Sequence, residues 1–106
     1  MSDIIRLAED HLARARDDPH GRSAELVVHD GPLRQTVIAL SCGAVLEEHN
    51  APPAAGVHVL RGLVRLTGPA ANRELGAGEV QSIPRERHGL EALDDSVVLL
   101  TTVTGI

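Results

Sequence analysis

The chain has 106 residues, 10 basic against 15 acidic side chains, and no Phe, Tyr or Trp. That length holds one hydrophobic core and not two, and the core must be assembled from Leu, Val, Ile and Ala. A formal charge of −5 with both signs interspersed leaves no basic stripe for a phosphate backbone. Without aromatic rings there is no stacking platform for bases either, so no nucleic-acid partner is expected.

The opening "MSDIIRLAEDHLARAR" carries charges every few residues and contains no apolar run long enough for a signal peptide or a membrane span. The lone Cys42 rules out an intrachain disulfide and a zinc site of paired thiolates. These features set the expectation of a soluble protein of the reducing cytoplasm with no membrane partner. Ile4, Ala8, Leu12 and Ala15 recur on one face, which predicts an amphipathic helix over 2–16. Ser2 or Asp3 is placed to cap its start, Arg14 and Arg16 suit its negative end, and Pro19 lies just beyond. The helix reads as a lid on the following domain or as a dimer contact, with His11 and His20 as solvated surface histidines. Residues 1–20 are thus assigned to helix and exit loop, and 21–106 to a single β domain.

From Ser23 the pattern turns to short extended segments separated by glycine, proline or acidic turns. Strands are expected at about 24–29, 34–41, 44–49, 55–61, 63–67, 79–83, 88–93 and 96–104, divided by "HDGP", "SCG", "NAPP", "TGPAAN", "GAG" and "LDDS". This spacing after one short helix indicates an all-β antiparallel barrel or jelly roll, and no second helix is available for a parallel crossover. The final "SVVLLTTVTG" is apolar on both faces, as a central strand buried on both sides would be.

Histidines dominate the candidate chemistry. His49 ends one expected strand, His58 lies inside the next, and His88 follows "IPRER". A first-row metal poised for catalysis wants three or more imidazole or carboxylate ligands and an open position. On a regular strand Glu47 shares a face with His49, so it is the carboxylate to complete a set with His49 and His88. Its simpler role is a solvated surface charge. His29 and Gln35 are further candidates for the domain interior. Cys42 sits in an "SCG" turn with nothing to activate it, and no serine has a nucleophile-elbow context.

The order of Gly43, His49, Gly62, Gly78, Pro84 and His88 resembles the paired motifs of the cupin superfamily, in particular its small single-domain bacterial members. The resemblance covers roughly residues 34–103 and implies a conserved β-barrel with a metal or ligand site in its lumen. Gly43, His49 and Gly62 fall on the first motif; Gly78 and Pro84 fall on the second, with His88 one residue early. The motif's second histidine and its glutamate are replaced by Ala51 and Ala55, its second-motif glycine by Glu86 and its asparagine by Ala92. Of the usual ligands only His49 and His88 remain. If Ala55 faces the lumen, alternation turns Val57 and Val59 inward and His58 away, so His58 restores the site only through a bulge.

Three functions follow as expectations. The first is a small-molecule ligand held in the barrel, metal-free or weakly metallated, in a regulatory or sensory role, with His49 and His88 as polar anchors and Arg34 or Arg61 recognising an anion. The second is a metal-dependent enzyme of dioxygenase, isomerase or epimerase type, with iron, manganese, nickel or zinc held by His49, His88 and either Glu47 or His58. The third is a ligand-free interaction module. A homodimer is expected in every case.

Overall fold

The computed structural model describes residues 2–49, 53–68, 72–83 and 88–104. Helix α1 spans Ile4–Asp17, and the carboxylate of its N-cap Asp3 accepts the N–H groups of Ile5 and Arg6, two of the donors that a helix start leaves without intrahelical partners. Arg14 and Arg16 occupy its last turn. At the exit the Asp18 carboxylate accepts the N–H groups of His20 and Arg22 at 2.9 and 3.2 Å, which turns the chain into the first strand.

Among the described residues nine strands follow: β1 Arg22–Asp30, β2 Leu33–Leu40, β3 Val45–His49, β4 Ala54–Arg61, β5 Leu63–Thr67, β6 Arg73–Gly76, β7 Val80–Ser82, β8 His88–Ala92 and β9 Ser96–Val103. They form a five-stranded sheet in the order β1-β2-β9-β4-β7 and a four-stranded sheet in the order β3-β8-β5-β6. Every pairing is antiparallel, as expected for a chain without crossover helices. The count is one strand above expectation because β6 contributes a single buried apolar side chain, Leu75, too little for an alternation to register. The expected break "NAPP" falls mostly, and "TGPAAN" half, outside the described residues.

Alternation along the strands divides the apolar residues between two clusters. Ile38, Leu40, Val57, Val59 and Val98 of the larger sheet meet Val64, Leu66, Leu75, Leu90 and Ala92 of the smaller one inside the barrel. Val37, Ala39 and Val97 point the other way and are covered by Leu12 and Ala15 of α1. Strand β9 is central in its sheet and buried on both faces. Each fully buried Leu or Val contributes about 1.5–3 kcal/mol, so an aliphatic core of this kind offsets the absence of aromatic residues. The helix therefore packs on its own barrel.

His11 departs from expectation. It is 3% exposed, its Nδ1 lies 2.7 Å from Ser23 Oγ and its Nε2 lies 3.0 Å from Glu25 Oε1. Positions 4, 8, 11 and 15 form one helical stripe, so His11 lies on the covered face. There it bridges α1 to β1 with both ring nitrogens engaged.

One end of the barrel is closed by backbone-directed polar groups. Ser96, fully buried, accepts the N–H of Leu63 at 3.1 Å and lies 2.7 Å from the Asp94 carbonyl. The Asp95 carboxylate accepts the Cys42 N–H at 2.8 Å and the Arg16 Nε–H at 2.9 Å. The turn between β4 and β5 passes so close that a Cβ on Gly62, whose φ is +89°, would meet the Asp95 carbonyl and the Ser96 hydroxyl. Only glycine combines that dihedral with that approach.

Candidate functional site

The opposite end of the lumen holds the candidate site. Antiparallel pairing sets His49 of β3 opposite His88 of β8, so residues 39 positions apart in sequence become cross-strand neighbours. His88 is 7% exposed and lines a partly open cavity between the two sheets, about 30 Å3 at its core. Ile38, Val57 and Leu100 wall it on one side and Leu46, Leu66 and Leu90 on the other. Among the described lining residues His88 carries the only polar side chain. The cavity is therefore an apolar chamber with one imidazole in its wall. Larger hollows of about 390 and 240 Å3 flank α1 on the outer face, lined mostly by aliphatic side chains with Ser2 and Gln35 along one and Glu9 and Arg61 along the other.

Glu47 does not share the lumen. In β3, Leu46 stands opposite Leu90 but His49 stands opposite His88, so three steps on β3 match two on β8. This is the signature of a bulge. Leu46 packs on the inner cluster, and Glu47 is exposed. Among the described residues no group of three or more His, Cys, Asp or Glu side chains converges as a metal site.

Strand β4 alternates as its sequence predicts. Ala55, Val57 and Val59 join the inner cluster. His58 falls between the inward valines, opposite Leu99 of β9 and Val80 of β7, on the outer face. Arg61 ends the strand, exposed beside Leu60 and Glu9 of α1, away from the lumen. Arg34 lies on the lumen face of β2, where its register partners are His29 and Thr102. Its guanidinium donates to Thr104 Oγ1 and His29 Nε2, each at 3.1 Å. Gln35, one residue on, faces the helix side and donates to Thr101 Oγ1 at 3.1 Å. Backbone register thus sets His49 opposite His88 on the smaller sheet, Arg34 stands on the lumen face of the larger sheet outside the cavity lining, and Glu47, His58 and Arg61 lie on outer surfaces. Ala51, Pro84 and Glu86 lie outside the described residues.

Cys42 is exposed in its turn, with its Sγ 3.4 Å from the Leu93 carbonyl. No described helix is long and apolar enough to cross a membrane.

Comparison with solved structures places this architecture. The chain is similar to a conserved protein of unknown function, SPY1581, from Streptococcus pyogenes, with a TM-score of 0.76 and 24% identity over 84% of this chain and 79% of that one. It is similar to a cupin superfamily protein from Desulfitobacterium hafniense, with a TM-score of 0.74 and 13% identity over 79% and 78% of the two chains. KdgF from Halomonas sp. matches with a TM-score of 0.69 and 24% identity over 83% and 84%. No family model matches the sequence, and a search of curated proteins finds no match. The two facing antiparallel sheets with their N-terminal helix are the cupin jelly roll.

Proposed function

We propose that this cupin-fold protein binds a compact small molecule in its barrel, without a metal or with a weakly held one, in a regulatory or sensory role. The observation that carries the reading is the chamber itself, aliphatic on both walls with the His88 imidazole among them. Small pockets of this kind take most of their affinity from apolar burial and their orientation from a few polar groups. Ala55 stands on the inner cluster where the resemblance would place an acidic ligand, which favours ligand capture over tight metal binding. Titration with butan-1-ol, followed through methyl resonances, tests it. Shifts at Leu46, Leu90 and Leu100 with none at Leu12 are expected. An unchanged spectrum at millimolar concentration overturns it.

The second reading, a metal-dependent enzyme of dioxygenase, isomerase or epimerase type, draws on the register of His49 opposite His88. Two imidazoles on adjacent strands would supply part of a site for iron, manganese, nickel or zinc, with substrate or water completing the coordination. Metal analysis of untagged protein separates the readings. Stoichiometric metal lost in both His49→Ala and His88→Ala supports the enzyme, and no uptake on anaerobic reconstitution removes it.

Either reading is compatible with a homodimer. Ile5 and Val80 are 73% and 69% exposed and flank the outer face of β4, where Leu60 and His58 also lie. A second copy is the proposed cover for this patch. A monomeric mass by light scattering would contradict it.

A further inference from the structure

Two of the described arginines are half-buried, and they differ in what balances their charge. Arg65, on the outside of the smaller sheet, lies between Glu91 at 3.2 Å and Glu74 at 3.4 Å. Arg34 has no carboxylate within ion-pair reach among the described residues; its partners there are the Thr104 hydroxyl and the His29 imidazole. A guanidinium only donates, so His29 Nε2 is the acceptor in this contact. A half-buried cation held by neutral groups is incompletely compensated, and its planar fork is suited to a carboxylate.

Its position gives this charge a use. On the lumen face of the larger sheet, Arg34 stands in one row with Thr102 and Ala55. The next row inward is Thr36, Leu100 and Val57, of which Leu100 and Val57 wall the chamber. Two residues along a strand span about 7 Å, so the Arg34 backbone stands one row beyond the apolar cavity, with its guanidinium held further out at Thr104, within reach of the mouth by a turn of its side chain. We infer that the ligand of this barrel is a compact aliphatic carboxylate, with its hydrocarbon part among Leu46, Val57 and Leu100 and its carboxylate at Arg34. A monoanion fits better than a phosphate, because one guanidinium with neutral companions does not neutralise a dianion. The inference rests on the small-molecule reading above and names the chemistry of its ligand.

The test compares butyrate with butan-1-ol on the full chain, by methyl resonances, in the wild type and in Arg34→Met, Arg34→Lys and Val57→Ile. Butyrate is expected to bind more tightly than the alcohol. A charge-assisted bond of ordinary strength makes the butyrate loss in Arg34→Met roughly 10- to 100-fold, with alcohol binding unchanged and Arg34→Lys falling between. Val57→Ile, which fills the chamber, should weaken both compounds. Equal affinity for the two, insensitive to Arg34→Met, overturns the carboxylate inference and leaves the lumen reading standing. Butyrate binding that depends on Arg34 but ignores Val57→Ile overturns a ligand spanning both places. No response to either compound removes the lumen reading and this inference with it.

Discussion

The two ends of the barrel use polar residues in opposite ways. At the closed end the Ser96 hydroxyl and the Asp95 carboxylate are committed to backbone groups of neighbouring turns and to Arg16 of the helix. At the other end His88 stands in an aliphatic wall, and Arg34 is held by neutral partners. Both ends contain buried polar atoms, so burial alone does not mark a site. What distinguishes them is what the polar groups adjoin: the first set ties neighbouring turns together, and the second includes an imidazole in the wall of a cavity.

The comparison can be broken first at Gly62. Alanine there must adopt a φ of +89° and place its Cβ against the Asp95 carbonyl and Ser96, so Gly62→Ala is expected to cost roughly 3 kcal/mol or more, measured by urea unfolding. A loss below 1 kcal/mol would mean that the turn is not the tight closure described. Asp95→Asn comes next. It keeps an acceptor for the Cys42 N–H but loses the ionic contact with Arg16, at an expected cost of about 1 kcal/mol at neutral pH.

That second substitution also has a pH signature. The Cys42 N–H foremost, and then Arg16, holds the Asp95 carboxyl below its ordinary value of 3.8. A depressed folded value means that its contribution is complete above about 3.8, the unfolded value, and is lost as pH falls through the lower folded one. The Arg22 and His20 N–H groups depress Asp18 in the same direction. Asp95→Asn should therefore flatten the acid limb of the stability profile without abolishing it. An acid limb identical to wild type would contradict the latch.

The smallest expected effect sharpens the other side. Glu47 is exposed within the irregular stretch of β3, so Glu47→Gln should change stability by less than about 0.5 kcal/mol and leave binding of metal and of butan-1-ol within twofold. A larger loss of either would return this carboxylate to the site.

Much of the fold was legible because turn residues and strand alternation report it directly. The inward set Ala55, Val57 and Val59, with His58 turned out, follows from period two alone. So does the two-faced burial of β9. The failures are equally physical. A short strand with one buried side chain, β6, leaves no periodic trace. The register shift between Leu46 and His49 in β3 is a local irregularity that period two cannot show, and Glu47 within it is exposed. His11 was taken for a surface residue because it is polar, although its helical position already lay on the apolar stripe. Arg34 was named as an anion contact from residue type; the neutral character of its partners emerges only in three dimensions.

The central claim, that ligand chemistry belongs to the His88 end and closure to the Ser96 end, is tested most directly by one paired measurement. Stability and butan-1-ol affinity are determined for Ser96→Ala and His88→Ala, with affinity referred to the folded fraction. Ser96→Ala leaves the Leu63 N–H without its buried acceptor and should cost about 1–3 kcal/mol with affinity within twofold of wild type. His88→Ala should change affinity at least fivefold, as expected for the one polar side chain among the described residues of the chamber wall. Equal effects of the two substitutions on affinity, or a loss confined to Ser96→Ala, would contradict the account.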